Sequence, residues 1–376
     1  MRFSIARGTA LVAVAATLVG LSACSPPAKE NEAAASDAAK ATSAAALGGI
    51  DKLVEAAKKE GALNVIALPP DWANYGEIIK AFTAKYGITV NSAQPDASSQ
   101  DEINAAKQLK GQGGAPDVFD LGSSVALANT ATFAPYKVTT WDDIPAALKD
   151  AGGTWVNDYG GYMSIGYDSS KVPAPTSIAD LLGPAYKGKV ALNGDPTQAG
   201  AAFNGVVAAA LGNGGSAGDI AKGVDFFGQL KKSGNFLPVD PTPTTIESGQ
   251  TPVVFDWDYL NVAQGAKLKG KVEWKTVVPA NAVLGSYYVQ AVNADAPHPA
   301  AARLWQEFLY SDEGQNLWLE GGARPVRADA MTAAGTLDKA LFDALPPVTG
   351  SPVFLTEDQT KSANEYLAAN WAKAIG

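Results

Sequence analysis

The chain has 376 residues, 47% of them hydrophobic and 18% charged, with a formal net charge of −9. That length holds two domains or one large one with an ordinary globular core, and the acidic balance argues against a nucleic-acid surface while leaving cationic small solutes open. A single cysteine and a single histidine exclude an internal disulfide and argue against a Ser-His-Asp arrangement.

At the N-terminus, Arg2 and Arg7 accompany the apolar residues 10–21, a stretch too short to span a bilayer comfortably. This reads as an export signal. It ends in Leu21-Ser22-Ala23-Cys24, similar to a bacterial lipobox. The similarity implies a signal peptide over 1–23 and acyl chains on Cys24 that hold the protein to the outer face of the cell membrane. Residues 24–47 are rich in Ala, Ser, Lys and Glu without apolar periodicity, and read as a flexible, lipid-anchored tether.

The folded part is expected from residue 48, where Ile50, Leu53, Val54 and Ala57 recur at helical spacing before Gly61. A buried strand at 63–68 breaks at Pro69-Pro70, and the loop Asp71-Trp72-Ala73-Asn74-Tyr75 leads into a helix with Ile78, Ile79, Phe82 and Tyr86 on one face. A second strand follows at 88–91. A polar loop at 96–101 opens a helix carrying Ile103, Ala106 and Leu109, and a third strand at 117–120 runs into Gly122-Ser123-Ser124. Three strand–helix units in a row predict a parallel, helix-covered sheet whose loops leave one edge. Ligands of open α/β sheets bind beyond the carboxyl ends of the strands, so Asp71, Trp72, Tyr75, Ser98, Ser99 and Ser123 are candidates for one wall of a cleft.

Residues 152–168, with Trp155, Tyr159, Tyr162, Tyr167 and several glycines, read as a strand leaving this first lobe. A second α/β lobe follows, with a strand at 189–192, the loop Asp195-Pro196-Thr197-Gln198 and a small-residue helix at 199–211. The amino end of that helix offers N–H groups to an anion or carbonyl, which makes Thr197 a candidate. After a helix at 224–232, the apolar run Pro252-Val253-Val254-Phe255 reads as a strand that runs into Asp256-Trp257-Asp258-Tyr259. Two carboxylates and two rings at a strand end are poor core material but suit a cation and its hydrocarbon stem. Continued as a strand, Asp256 and Asp258 would share a face about 7 Å apart. Strands at 271–278 and 286–293 follow, the latter returning to the first lobe with Tyr287 and Tyr288. Pro297-His298-Pro299 starts a helix with Leu304, Trp305, Phe308 and Leu309 inward, and Ser311 caps the next. The remainder is helical segments joined by Pro-rich loops, and no internal repeat is evident.

The segment Ala296-Pro297-His298-Pro299-Ala300-Ala301-Ala302-Arg303, with Phe308-Leu309-Tyr310-Ser311-Asp312-Glu313-Gly314-Gln315, resembles a signature of the extracellular solute-binding proteins of ABC importers. Ala115-Pro116-Asp117-Val118, Ile165-Gly166-Tyr167-Asp168 and Tyr186-Lys187-Gly188-Lys189-Val190 resemble the same family, and the resemblance runs from about residue 61 to 325. It implies a two-lobed α/β fold of the periplasmic-binding-protein type II kind, each lobe a mixed sheet covered by helices, with two crossover strands. The expected division is lobe I at 48–160, lobe II at 161–282, a return to lobe I at 283–324, and C-terminal helices at 325–376 on lobe II.

Within such receptors the ligand differs. Ferric-ion receptors carry a Tyr-Tyr pair at the end of the strand that matches 252–259, where this chain has Asp256-Trp257; its one histidine, His298, lies at a scaffold helix start. Polyamine receptors line the cleft with Trp and Tyr and set Asp or Glu at the amines, types that Asp71, Trp72, Asp256, Trp257, Asp258, Tyr287 and Tyr288 supply. Where those receptors tend to carry an acidic residue after Gly285, this chain has Tyr287-Tyr288. Phosphonate and thiamine receptors share the scaffold, and Thr197-Gln198-Ala199 at a helix amino end would suit a phosphate. The resemblance therefore implies a substrate-binding lipoprotein, expected to act as a monomer without a cofactor or bound metal. It would capture a small polar, polyamine-like cationic solute and deliver it to a membrane permease, with ferric ion, phosphonate or thiamine as alternative ligands. A secreted hydrolase is the distant alternative; the chain has no H-E-x-x-H motif.

Overall fold

A computed structural model describes residues 37–376. The signal segment, the lipobox with Cys24 and the first part of the expected tether lie outside the described residues. The strands are β1 (Ala62–Ile66), β2 (Thr89–Ala93), β3 (Val118–Leu121), β4 (Phe133–Ala134), β5 (Val156–Asp168), β6 (Val190–Leu192), β7 (Val253–Trp257), β8 (Trp274–Val277), β9 (Gly285–Asn293) and β10 (Arg324–Pro325).

The long strand β5 organises the molecule. Its first half pairs antiparallel with β9, from Val156 opposite Gln290 to Tyr162 opposite Gly285. Its second half pairs with β7, from Met163 opposite Trp257 to Tyr167 opposite Val253, and also with β8. The sheet therefore runs β3–β9–β5–β7–β6 through both lobes, with β4 and β10 added on the lobe I side. β5 and β9 are the two crossovers. Backbones and side chains crowd there: a β-carbon at Gly161 would lie 2.4 Å from Asp258 Oδ1, so only glycine fits that turn of the crossover.

Lobe I differs from the expectation of one sheet holding all of its strands. β1 and β2 form their own parallel pair, from Ala62 opposite Thr89 to Ile66 opposite Ala93. One backbone bond links that pair to the rest, Asp117 N–H to the Asn64 carbonyl at 2.9 Å. The Asp117 carboxylate strengthens the seam by accepting Asn64 N–H at 2.6 Å. Lobe II holds β6 parallel to β7, with Val190 opposite Val253, as the sequence implied.

Two terminal segments depart from expectation. Residues 37–47, read as part of the tether, pack on lobe I: Ala38, Ala41 and Ala44 are buried, and the Arg303 guanidinium donates to the Ala39 and Ala41 carbonyls, both at 2.8 Å. Small side chains let the segment lie flat, and Arg303 satisfies the carbonyls it would otherwise bury. The C-terminal helix Glu357–Ile375, expected on lobe II alone, packs against the lobe II helix Ala221–Ser233 and also against the lobe I helix Ser123–Ala128. Asn364 Nδ2 donates to the Ser124 carbonyl at 3.2 Å. Among the described residues no helix is long and apolar enough to cross a membrane.

Candidate functional site

A cavity of about 740 Å³ lies between the lobes, lined from lobe I by the loops after β1 and β2 and by Asp120 of β3, and from lobe II by the loop after β6, residues 240–246, the strand end of β7 and the helix Asp258–Lys267. The loops after β1, β2 and β6 lie at the carboxyl ends of their strands, where peptide N–H groups and polar side chains are free of the sheet.

The first loop is held in an unusual shape. Ala67, Ala73 and Asn74 all have positive φ, at 58°, 43° and 73°. Such residues cost of order 1–3 kcal/mol each unless surroundings fix them, and they cluster at functional sites. Here Asn74 Nδ2 donates to the Leu317 carbonyl at 2.9 Å. The twist presents Trp72 to the cleft, with its Nε1 donating to the Tyr159 hydroxyl at 2.7 Å and its ring edge-on to Tyr288 at 5.7 Å.

The walls are acidic. Lobe I contributes Asp71, Asp96, Asp101, Glu102 and Asp120, and lobe II contributes Asp195, Asp240 and Asp256. Lys267 is the one basic side chain on the wall among the described residues, and it pairs with Asp71 across the mouth. Asp256 accepts the Asn193 amide at 2.9 Å and its neighbour's Trp257 N–H at 2.8 Å. Burial nevertheless pushes its carboxyl up to about 7. Burial likewise raises Asp120, Glu102 and Asp158, which have one another for neighbours rather than a base.

The sign of this effect is testable. Between about pH 4 and about pH 7 the folded protein holds a proton on Asp256 that the unfolded chain has released. Stability from this group is therefore lost as pH rises through that window, by roughly 4 kcal/mol in total. The melting temperature of the ligand-free protein should fall between pH 5 and pH 8, and Asp256→Asn should flatten that fall. A variant with the wild-type slope would contradict the assignment.

Of the residues singled out from sequence, Asp71, Trp72, Ser98, Ser99, Asp256 and Tyr288 line the cavity. Ser98 caps its helix through Asp101 N–H, and Ser99 Oγ accepts Gly122 N–H at 3.0 Å. The other six lie elsewhere. Tyr75 is fully buried beneath the floor, where its hydroxyl takes the Gln290 amide at 3.0 Å. Ser123 turns from the cleft and donates to the Tyr287 carbonyl at 3.1 Å. Thr197 is exposed and folds back on Asp195 Oδ1, with its hydroxyl at 2.7 Å, so Asp195 and Gln198 line the wall in its place. Trp257 is 1% exposed, stacked on Tyr259 at 6.3 Å with Nε1 toward the Tyr288 hydroxyl at 3.3 Å.

Asp258 departs most. β7 ends at Trp257 and a helix begins at Asp258, so the alternation that would have put it beside Asp256 stops one residue short. Its carboxylate accepts Tyr162 N–H at 2.9 Å and pairs with Arg324 at 2.6 Å behind the crossover. The two carboxylates therefore do not form a facing pair. Tyr287 sits at the back of the hinge, stacked on Phe354 at 6.3 Å.

Sequence reading missed Glu102, Asp120, Asn193, Asn261, Gln264 and Lys267. Glu102 had a signal: it lies four residues before Ala106, on the helix face read as buried. Asp120 ends a buried strand two residues before Gly122. Asn261, Gln264 and Lys267 depend on the helix Asp258–Lys267, which the apolar run before it concealed.

The profile of the bacterial extracellular solute-binding protein family matches residues 115–349. No curated protein matches the sequence. Among solved structures the chain is similar to iron-bound HitA from Pseudomonas aeruginosa, at 21% identity and TM-score 0.62, covering 84% of this chain and 99% of that one. It is similar to AfuA from Actinobacillus pleuropneumoniae with fructose-6-phosphate bound, at 16% identity and TM-score 0.64, covering 84% and 98%. AgtB from A. tumefaciens R10, in complex with agropinic acid, has 15% identity and TM-score 0.65, covering 84% and 98%. At these identities the likeness is one of fold, the two-lobed periplasmic-binding-protein type II architecture. The family profile spans more than half of the chain, and the protein belongs to the bacterial extracellular solute-binding proteins, the solute receptors of ABC importers.

Proposed function

We propose that this receptor captures a small polar cationic solute between its lobes and delivers it to a membrane permease. The observation that carries the reading is the charge of the cleft: eight carboxyl side chains line it against one lysine, itself paired with Asp71. A cation leaving water needs a carboxylate, and its methylenes need aromatic faces, which Trp72 and Tyr288 offer. A phosphate at the helix start near Thr197 would meet Asp195 instead of a base, which weighs against phosphonate and thiamine ligands. Asp256 and Asp258 do not face one another, which weighs against the glycosidase-like pairing of those two residues. Mass spectrometry of small molecules released from the denatured protein, followed by a thermal-shift panel of amines, phosphonates, vitamins and ferric chelates, tests the reading. Recovery of an anion would overturn it.

Ferric ion is the second reading, because Tyr288 and Asp256 set hard oxygen donors on the cleft and iron-bound HitA shares the fold. It ranks below the first because burial raises the Tyr288 phenol well above its ordinary range, while iron needs the phenolate.

The same reading makes the protein a monomeric lipoprotein anchored through Cys24. Cys24→Ser should release it from membranes or leave it unprocessed. Fractionation indistinguishable from wild type would refute the anchor.

A further inference from the structure

Two side chains on the cleft wall are more than nine-tenths buried, carry an unpartnered polar atom, and belong to opposite lobes. Asp120, at the end of β3, is 7% exposed; its Oδ2 accepts the Tyr159 hydroxyl at 3.0 Å and its Oδ1 has no donor among the described residues. Gln264, on the helix Asp258–Lys267, is 8% exposed and its Nε2 has no acceptor among the described residues. Both line the same cavity. Folded proteins rarely leave a buried donor or acceptor unmatched, because each forfeits its hydrogen bonds to water.

The neighbours do not supply the missing partners. Trp72 Nε1 is taken by the Tyr159 hydroxyl, and the Tyr75 hydroxyl, which accepts the Gln290 amide, does not reach Asp120 Oδ1 in hydrogen-bonding geometry. Lys267, one turn beyond Gln264, is itself a donor and is held by Asp71. The two deficits are opposite in sense: lobe I lacks a donor and lobe II lacks an acceptor.

Resting on the cationic reading of the cleft, we infer that the solute is bipolar, with an N–H-bearing cation that meets Asp120 and a neutral carbonyl or hydroxyl oxygen that meets Gln264. That describes amino-amides and amino-alcohols. A plain alkyl diamine would set a second N–H group against the Gln264 N–H. A quaternary ammonium has no hydrogen to give Asp120 Oδ1. A site built to hydrogen-bond a substrate group rejects the analogue that lacks it far more strongly than an apolar pocket rejects a misfit.

The test uses three matched linear probes in calorimetry with the full chain at pH 8: a diamine, the corresponding amino-amide, and the N-trimethylated amino-amide. The amino-amide should bind at least tenfold tighter than the diamine and at least a hundredfold tighter than the trimethylated form. Asp120→Asn should narrow the second gap. Gln264→Glu, which turns the donor into an acceptor for an ammonium, should reverse the first and favour the diamine. That reversal cannot arise from misfolding. Tighter binding of the diamine or of the trimethylated probe to the wild type would overturn the inference and leave the cationic reading standing. Failure of all three to bind would overturn both.

Discussion

Asp256→Asn is expected to weaken binding of the cationic solute by at least about a hundredfold at pH 8. Asp256 lines the cleft at the end of β7, held by Asn193 and by the Trp257 backbone, with no cationic partner among the described residues. A solute cation would complete the pair, and removing one partner of a buried charge pair costs about 3–5 kcal/mol. Each 1.4 kcal/mol is about tenfold in affinity. The effect carries a pH signature. Since burial holds the Asp256 carboxyl near 7, a cation arriving at lower pH must displace a proton. Wild-type affinity should fall by up to about tenfold per pH unit below that value, with protons released to the buffer, while the variant keeps only the dependence that Asp120 contributes. The gap between the two therefore closes toward pH 5. Calorimetry in buffers of different ionisation enthalpy measures both quantities. Equal affinities at pH 8, or parallel pH profiles, would sink the assignment. Asp258→Asn is the control: with its carboxylate committed to Arg324 and Tyr162 N–H, it should lower stability without the pH signature.

The architecture was more legible than the site, for a physical reason. Strands and helices announce themselves by periodicity, and β7, β9 and the helix Gly200–Gly212 lie within a residue or two of where apolar spacing placed them. Scaffold motifs such as Asp117 and His298 were visible because they close a local seam: His298 N–H donates to Asp117 Oδ1 at 2.6 Å, and the histidine ring faces the other oxygen at 2.9 Å. Which strand-end residue faces the ligand is decided by one residue of register. Asp256 and Asp258 were indistinguishable until the helix start at Asp258 turned the second away. Trp257, read as a ligand-facing ring, is core, and Trp257→Ala should therefore cost about 3–5 kcal/mol of stability rather than a selective tenfold in affinity. Glu102 and Asp120 were hidden by the opposite bias. Sequence reading assigns buried positions to apolar residues, whereas a binding cleft buries acids on purpose and leaves them raised in pKa.

Gly122→Val should weaken solute binding by about tenfold to a hundredfold without touching any group that contacts the solute. Gly122 follows β3 in lobe I, and Gly200 opens the helix Gly200–Gly212 in lobe II. Their backbones meet so closely that a β-carbon at Gly122 would lie 2.6 Å from the Gly200 Cα, and one at Gly200 would lie 2.8 Å from the Gly122 Cα. Non-bonded carbons settle at about 3.5–4.0 Å, so the lobes would have to part by about 1 Å at this point. The backbone at Gly122, with φ −58° and ψ 139°, suits any L residue, so the collision alone is being tested. Because Asp120 is two residues away and Asp256 lies across the cleft, parting the lobes separates the two carboxylates that a solute would join. Apparent affinity falls in proportion to the closed population, so a closed state reduced to about one in a hundred gives about a hundredfold. The ligand-free melting temperature should barely move, and small-angle scattering with solute should retain the open radius. Gly200→Val should do the same, and the double variant should add little, because both remove one contact. If Gly122→Val closes and binds as wild type, the glycine pair is not where the lobes meet on closure.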